Sequence, residues 1–188
     1  VYVLENNGVY GLTKGQYSAT AVKGSKKKKG PTNEHQPIDL CKLAINLGCT
    51  FVARSFSGSK KQLTALMKAA MSHKGFALID VISPCVTFNN NDESLRSYTY
   101  VKDNDVELHA YDYIPTQSPI ESAASPEGEF HDITLFDGSI LRLETIGSDH
   151  DPSDAMAALN ALHKAETEDK HVTGLLYFDA TKPSLAED

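Results

Sequence analysis

The sequence predicts an α/β fold, a parallel sheet with flanking helices. Three observations point to it. Short apolar runs alternate with stretches whose apolar residues recur at helical spacing. Each apolar run ends abruptly in polar or glycine-bearing residues. The run Phe76-Ala77-Leu78-Ile79-Asp80-Val81-Ile82 is nearly all apolar, as a strand covered on both faces should be.

Taken in order, residues 1–5 read as a short buried parallel strand. Residues 6–36 form a long polar segment carrying Gly11, Gly15, Gly24 and Gly30, and a structureless loop of that length is uncommon unless it has a function. Pro37 opens a helix at its first turn, with Ile38, Cys41, Ala44 and Ile45 on one face and Gly48 as the stop. Residues 49–54 are the next strand. Ser57 or Ser59 caps a second helix with a stripe of Leu63, Leu66, Met67, Ala70 and Met71, ended by Gly75. Pro84 breaks the strand of residues 76–82. If the three strands are parallel, Asn7, Ser55 and Cys85 stand just past their carboxyl ends on one edge of the sheet, where open α/β sheets hold ligands.

Beyond Asn91 the texture changes, and residues 92–188 read as a C-terminal extension to residues 1–91. Residues 98–126 carry Pro115, Pro119 and Pro126 with no sustained period, and are expected to wrap the domain. Asp137-Gly138 lies between two apolar runs and marks a hairpin over residues 132–143. Asp151-Pro152 is an N-cap and first-turn pair for a helix over residues 152–166, with Met156, Leu159 and Leu162 in register. Residues 172–178 form a last strand.

The 188 residues suit one domain with a real core. Apolar residues at 40% and a net charge of −7 describe a soluble globular protein with no general affinity for nucleic acid. No apolar run approaches the roughly 20 residues that span a bilayer, and a cytoplasmic location is expected. Three cysteines, Cys41, Cys49 and Cys85, are too few for a disulfide framework or for a self-contained four-ligand zinc or iron–sulfur site.

The most informative stretch follows the first strand: Asn6-Asn7-Gly8-Val9-Tyr10-Gly11-Leu12-Thr13-Lys14-Gly15-Gln16. Carboxamides are neutral oxygen ligands, and a hard cation such as Mg²⁺ accepts them when a phosphate supplies the remaining charge. By spacing alone, Asn-Asn-Gly is equally an ordinary turn. The whole stretch resembles the second half of the thiamine-diphosphate motif in β subunits of 2-oxoacid:ferredoxin oxidoreductases, most of all the 2-oxoglutarate branch. Phe51-Val52-Ala53-Arg54-Ser55-Phe56-Ser57-Gly58, Ser83-Pro84-Cys85-Val86-Thr87-Phe88-Asn89 and Thr173-Gly174-Leu175-Leu176-Tyr177 extend the likeness over nearly the whole chain.

The resemblance implies a partial thiamine-diphosphate-binding fold and a CoA-dependent oxidative decarboxylation of a 2-oxo acid, with electrons passed to ferredoxin. It implies that the Asn7 side chain and the Val9 carbonyl bind Mg²⁺ and that Tyr10, Gly11, Leu12 and Thr13 line the cofactor. Leu12 and Lys14 then reach toward the reacting centre, where Lys14 recognises a substrate carboxylate or coenzyme A. It also implies that Cys85 is a remote ligand of a [4Fe–4S] cluster. The family's upstream Gly-Asp-Gly segment and its other cysteine ligands do not occur in the sequence. The chain is therefore expected to be the C-terminal part of a longer β subunit, inactive alone and paired with an α subunit in a dimer of heterodimers.

Blander readings stand beside these. A free cysteine is most often an inert core thiol, which is the reading for Cys41 and Cys49. Lys26-Lys27-Lys28-Lys29 reads as a solvated loop, with a docking surface for acidic ferredoxin as the alternative. A pyruvate-specific or broad-range oxidoreductase, or an inactive assembly fragment, remain rival functions.

Overall fold

The computed structural model describes residues 1–26, 30–92, 94–114, 130–135, 137–145 and 150–181. Its central sheet has five strands: β1 (Tyr2–Asn6), β4 (Phe51–Phe56), β5 (Ala77–Ile82), β6 (Asp105–Glu107) and β10 (His171–Phe178). Their order is β1-β5-β4-β10-β6. β1, β5 and β4 are parallel, as expected. β10 runs antiparallel to β4 and parallel to β6, so the sheet is mixed. Apolar patterning marks a buried strand but carries no direction. Here a tight reversal with Asp169 at φ 53° hands the chain from α4 (Ala155–Thr167) into β10.

Strand alternation sorts the core into two faces. Phe51, Ala53, Ile79 and Val81 meet α2 (Lys60–Ser72) through Ala65, Leu66, Ala69 and Ala70. A three-stranded sheet of β7 (His109–Ile114), β8 (Phe130–Thr134) and β9 (Ile140–Thr145) joins this cluster through Leu135 and Leu141. On the other face, Val52 and Val172 pack with Cys41, Ala44 and Ile45 of α1 (Leu40–Asn46) and with Ala158 and Leu162 of α4. A bulge in β10 between Leu175 and Tyr177 turns both Leu176 and Tyr177 to that second face. Each fully buried Leu, Ile or Phe contributes roughly 1.5–3 kcal/mol.

Several local expectations shift. β1 is an edge strand among the described residues, with Val1, Tyr2 and Val3 exposed, because only β5 pairs with it. α1 is capped by Asp39, whose carboxylate accepts from Cys41 N and Lys42 N, and not opened by Pro37. Ser59 holds the N-cap position of α2 without a side-chain bond, and His73 ends the helix before Gly75. Met67 and Met71 lie off its buried stripe, which runs through Gln62, Ala65, Leu66, Ala69 and Ala70. Asp154 caps α4; Asp151 instead accepts from Ser153 N one turn earlier. Met156 is exposed.

The stretch from residue 98 is not an irregular wrap. It holds α3 (Tyr98–Asn104), β6 and β7, elements too short to show a period. The hairpin at Asp137-Gly138 forms, with β8 and β9 antiparallel. Residues 115–126, and the lysine run apart from Lys26, lie outside the described residues.

Candidate functional site

β1, β5 and β4 end level, with Asn6 and Phe56 both in register with Ile82. Asn7 and Cys85 therefore stand beyond one edge of the sheet. Ser55 does not: it lies inside β4 and its hydroxyl donates to Gln62 Oε1 on the α2 face.

Past β1 the chain turns sharply. Asn7 Oδ1 accepts from Val9 N–H at 2.9 Å, and Gly8 sits at φ 72°, the left-handed region that suits glycine. A Cβ on Gly8 would come within 3.1 Å of Asn89 Nδ2. The chain then forms a small hairpin of β2 (Val9–Tyr10) and β3 (Gln16–Tyr17). Lys14 N donates to Gly11 O and Gly15 N to Tyr10 O, with Lys14 itself at φ 68°. Leu12 is 99% exposed at the tip.

The hairpin stands between two hollows, with Val9 lining both and Asn7 lining neither. Val9 and Lys14 line one of about 630 Å³ together with Gly8, Phe88 and Asn89 from the loop after β5. Tyr10, Gly11, Leu12 and Thr13 line a shallower one of about 410 Å³. Gly15 packs against Phe88, which ties the hairpin to the Cys85 loop.

Beneath the edge lies a buried polar column that sequence reading did not single out. Arg54 Nε donates to Asp80 Oδ2 and Arg54 Nη2 to Asp39 Oδ1, both at 2.9 Å. Asn6 Nδ2 donates to Asp80 Oδ1, and Arg96 Nη1 donates to Asn6 Oδ1 at 2.7 Å. Burial alone would raise the Asp39 carboxyl, but the Arg54 guanidinium and the Lys42 N–H hold it below its ordinary value. Burial pulls Arg96 down to about 10, so it remains a cation at neutral pH. A cavity of about 580 Å³ opens on Arg54, Asp80, Arg96 and His171. His171 bonds the Leu95 carbonyl at 2.9 Å, and burial takes its pKa down to about 4, leaving a neutral ring. The available signals were a lone carboxylate in the apolar run of β5 and a lone arginine in β4.

The cysteines separate as expected. Cys41 and Cys49 are buried, and burial pushes both thiols up. Cys85 is half-buried, with its carbonyl accepting from Phe88 N and Asn89 N. Among the described residues no group of three or more His, Cys, Asp or Glu is placed to hold a metal, and Cys85 is the one thiol beyond this edge. No helix among them is long and apolar enough to cross a membrane.

An oxygen-donor turn at the carboxyl edge of a parallel sheet is a setting for a metal-bound phosphate ligand, and residues 1–81 match the family described as thiamine pyrophosphate enzyme, C-terminal TPP binding domain. The chain is a relative of the 2-oxoacid:ferredoxin oxidoreductase β subunits. It is 50% identical over 91 residues to the 2-oxoacid:ferredoxin oxidoreductase subunit beta of Sulfolobus sp, covering 48% of this chain and 30% of that one. It is 40% identical over 128 residues to subunit beta of 2-oxoacid:ferredoxin oxidoreductase 1 of Aeropyrum pernix, covering 68% and 38%. Its fold matches a solved 2-oxoglutarate:ferredoxin oxidoreductase from Magnetococcus marinus with 2-oxoglutarate, coenzyme A and succinyl-CoA bound. That match has a TM-score of 0.68 and 29% identity, over 98% of this chain and 48% of the other. The chain thus spans about a third of the length of the two curated relatives.

Proposed function

We propose that this chain is part of the β subunit of a 2-oxoglutarate:ferredoxin oxidoreductase, which with coenzyme A converts the 2-oxo acid to acyl-CoA and CO₂ and reduces ferredoxin. The observation that carries this reading is the Asn7-Gly8-Val9 turn at the carboxyl edge of β1, inside the residues that match the TPP-binding family. In this reading Asn7 Oδ1 and the Val9 carbonyl ligate Mg²⁺. Asn7 Oδ1 fits the role, since Val9 N–H occupies one of its two lone pairs and the other stays available. Both donors are neutral, so a diphosphate and residues elsewhere in the assembly supply the negative charge.

Bound there, thiamine diphosphate supplies the nucleophilic carbon for the 2-oxo group and an electron sink for decarboxylation. The chain's own residues bind and orient. Gly8 brings the backbone close, and Tyr10, Gly11, Leu12 and Thr13 border the cofactor from the hairpin. Lys14, facing the hollow shared with Val9, binds a substrate carboxylate. Cys85 is the thiol this chain offers to a [4Fe–4S] cluster, but it cannot hold one by itself, and the remaining ligands lie elsewhere. An α subunit forms the other wall of the site, in a cytoplasmic dimer of heterodimers. A broad 2-oxo acid range is the second reading, favoured by higher identity to relatives whose names specify no single 2-oxo acid.

Calorimetry on the complete β subunit with its α partner tests the site. Asn7→Ala is expected to weaken Mg²⁺-dependent thiamine diphosphate binding at least about tenfold. Unchanged affinity would overturn the ligand assignment. Viologen reduction with 2-oxoglutarate and with pyruvate tests the substrate. Lys14→Ala should lower kcat/KM for 2-oxoglutarate by about one to two orders of magnitude, the size of a lost charge-assisted hydrogen bond, and affect pyruvate less. An equal loss for both substrates would favour the broad-range reading.

A further inference from the structure

Asn7 is gripped on both sides along the chain. Ahead of it, the Asn6 carbonyl accepts from Arg96 Nη1 at 3.3 Å and from Ser83 N–H at 3.1 Å. Behind it, the Asn7 carbonyl accepts from Asn89 Nδ2 at 2.9 Å. Asn89 is oriented in turn by Ser94, whose hydroxyl donates to Asn89 Oδ1 at 2.6 Å, and Arg96 N–H donates to that same hydroxyl. Arg96 Nη2 reaches the Thr20 carbonyl at 2.7 Å, fastening the far side of the long polar segment to the same point. Both peptide planes that flank the Asn7 Cα are therefore fixed by Ser83, Asn89 and Arg96, and Val9 N–H fixes its side-chain oxygen.

The choice of an arginine here is informative. Arg96 is 8% exposed, and every hydrogen bond its guanidinium makes goes to a neutral oxygen of Asn6 or Thr20, with Nε unpartnered. Among the described residues no carboxylate lies within ion-pair distance of it. Burying a cation on such terms is costly, and a neutral donor would serve mere packing. What the guanidinium adds is a planar fork that spans two loops with fixed geometry. Gly8 completes the grip: a Cβ there would sit 3.5 Å from Arg96 Cδ and 3.1 Å from Asn89 Nδ2, so the turn can close only against these two side chains.

We propose that Arg96 and Asn89 are positioning residues that hold Asn7 in the orientation a metal–diphosphate ligand requires. This rests on the reading of Asn7 as a ligand of that metal, and partners behind a metal ligand typically contribute ten- to a hundredfold in metal affinity.

The test uses the complete β subunit with its α partner, loaded with thiamine diphosphate and titrated with Mn²⁺, free Mn²⁺ being read by electron paramagnetic resonance without any turnover. Arg96→Met and Asn89→Leu are each expected to weaken Mn²⁺ binding about ten- to a hundredfold, with Arg96→Lys intermediate. In an Asn7→Ala background the same changes should cost less than about twofold further, because they act through Asn7; a purely structural role would give additive losses. If Arg96→Met fails to fold, Ser94→Ala carries the test. It removes only the hydroxyl that orients Asn89 and should weaken Mn²⁺ about two- to tenfold. Loss of Mn²⁺ in Asn7→Ala with wild-type affinity in the Arg96, Asn89 and Ser94 variants overturns the positioning role and leaves the ligand standing. Wild-type affinity in Asn7→Ala removes the ligand, and the positioning role with it.

Discussion

The two faces of the central sheet bury polar groups in opposite ways. On the α1/α4 face, Asp39 and Asp80 share the Arg54 guanidinium, and the chain of bonds continues through Asn6 to the Asn7 turn. On the α2 face the buried groups are neutral donors set against acids. Ser55 donates to Gln62, and Gln62 donates to Glu107 and to Thr173, whose hydroxyl meets Asp105. Among the described residues no cation is bonded into that second network. Two aspartates record the difference: Arg54 holds Asp39 below its ordinary value, whereas burial, with Glu107 nearby, pushes Asp105 up to about 6. A buried carboxylate beside a cation stays charged and rigid, while one among neutral donors carries a penalty for its charge.

The largest way to break this contrast is Arg54→Met. It leaves Asp80, 1% exposed, and Asp39 without the guanidinium that bonds them both and should cost about 3–5 kcal/mol, measured by urea unfolding. Adding Asp80→Asn should return part of that loss. A cost under about 1 kcal/mol for Arg54→Met would mean the column is not a charged unit.

On the opposite face, Gln62→Leu should cost less, about 1–3 kcal/mol, because it removes the hydrogen bonds to Ser55, Thr173 and Glu107 but breaks no ion pair. If it matched Arg54→Met, the two faces would be equivalent.

The smallest effect sharpens the comparison through pH. Between pH 3.8 and about 6 the folded state keeps the Asp105 proton that the unfolded chain has released, so stability falls as pH rises through that window. Asp39 acts in the other sense: its contribution is present above its unfolded value of 3.8 and is lost as pH falls below it. Asp105→Asn keeps an acceptor for Thr173 and removes the charge. It should flatten thermal stability between pH 4 and 6 and raise Tm at pH 7 by about 2–4 °C, the shift that about 1 kcal/mol produces at this chain length. A profile with the same slope in the mutant would assign the pH dependence elsewhere.

By itself the sequence determined the strands and helices that alternation and helical spacing announce, the hairpin at Asp137-Gly138, the inert burial of Cys41 and Cys49, and the likeness carried by residues 6–16. Those are local properties: a period, a turn residue or a contiguous motif lies within a short window and needs no partner to be read. Tertiary structure alone decided that β10 runs against β4, because strand direction depends on how the chain returns to the sheet. It alone put Ser55 inside β4 rather than at the edge, and gave Met71 and Met156 to solvent. It alone brought Arg96 under Asn6, 90 positions away, and Asp80 against Asn6 and Arg54. Hydrogen bonds between residues that far apart leave no periodic trace in a single sequence, so the half of the candidate site that holds the turn in place became visible only when the chain was folded.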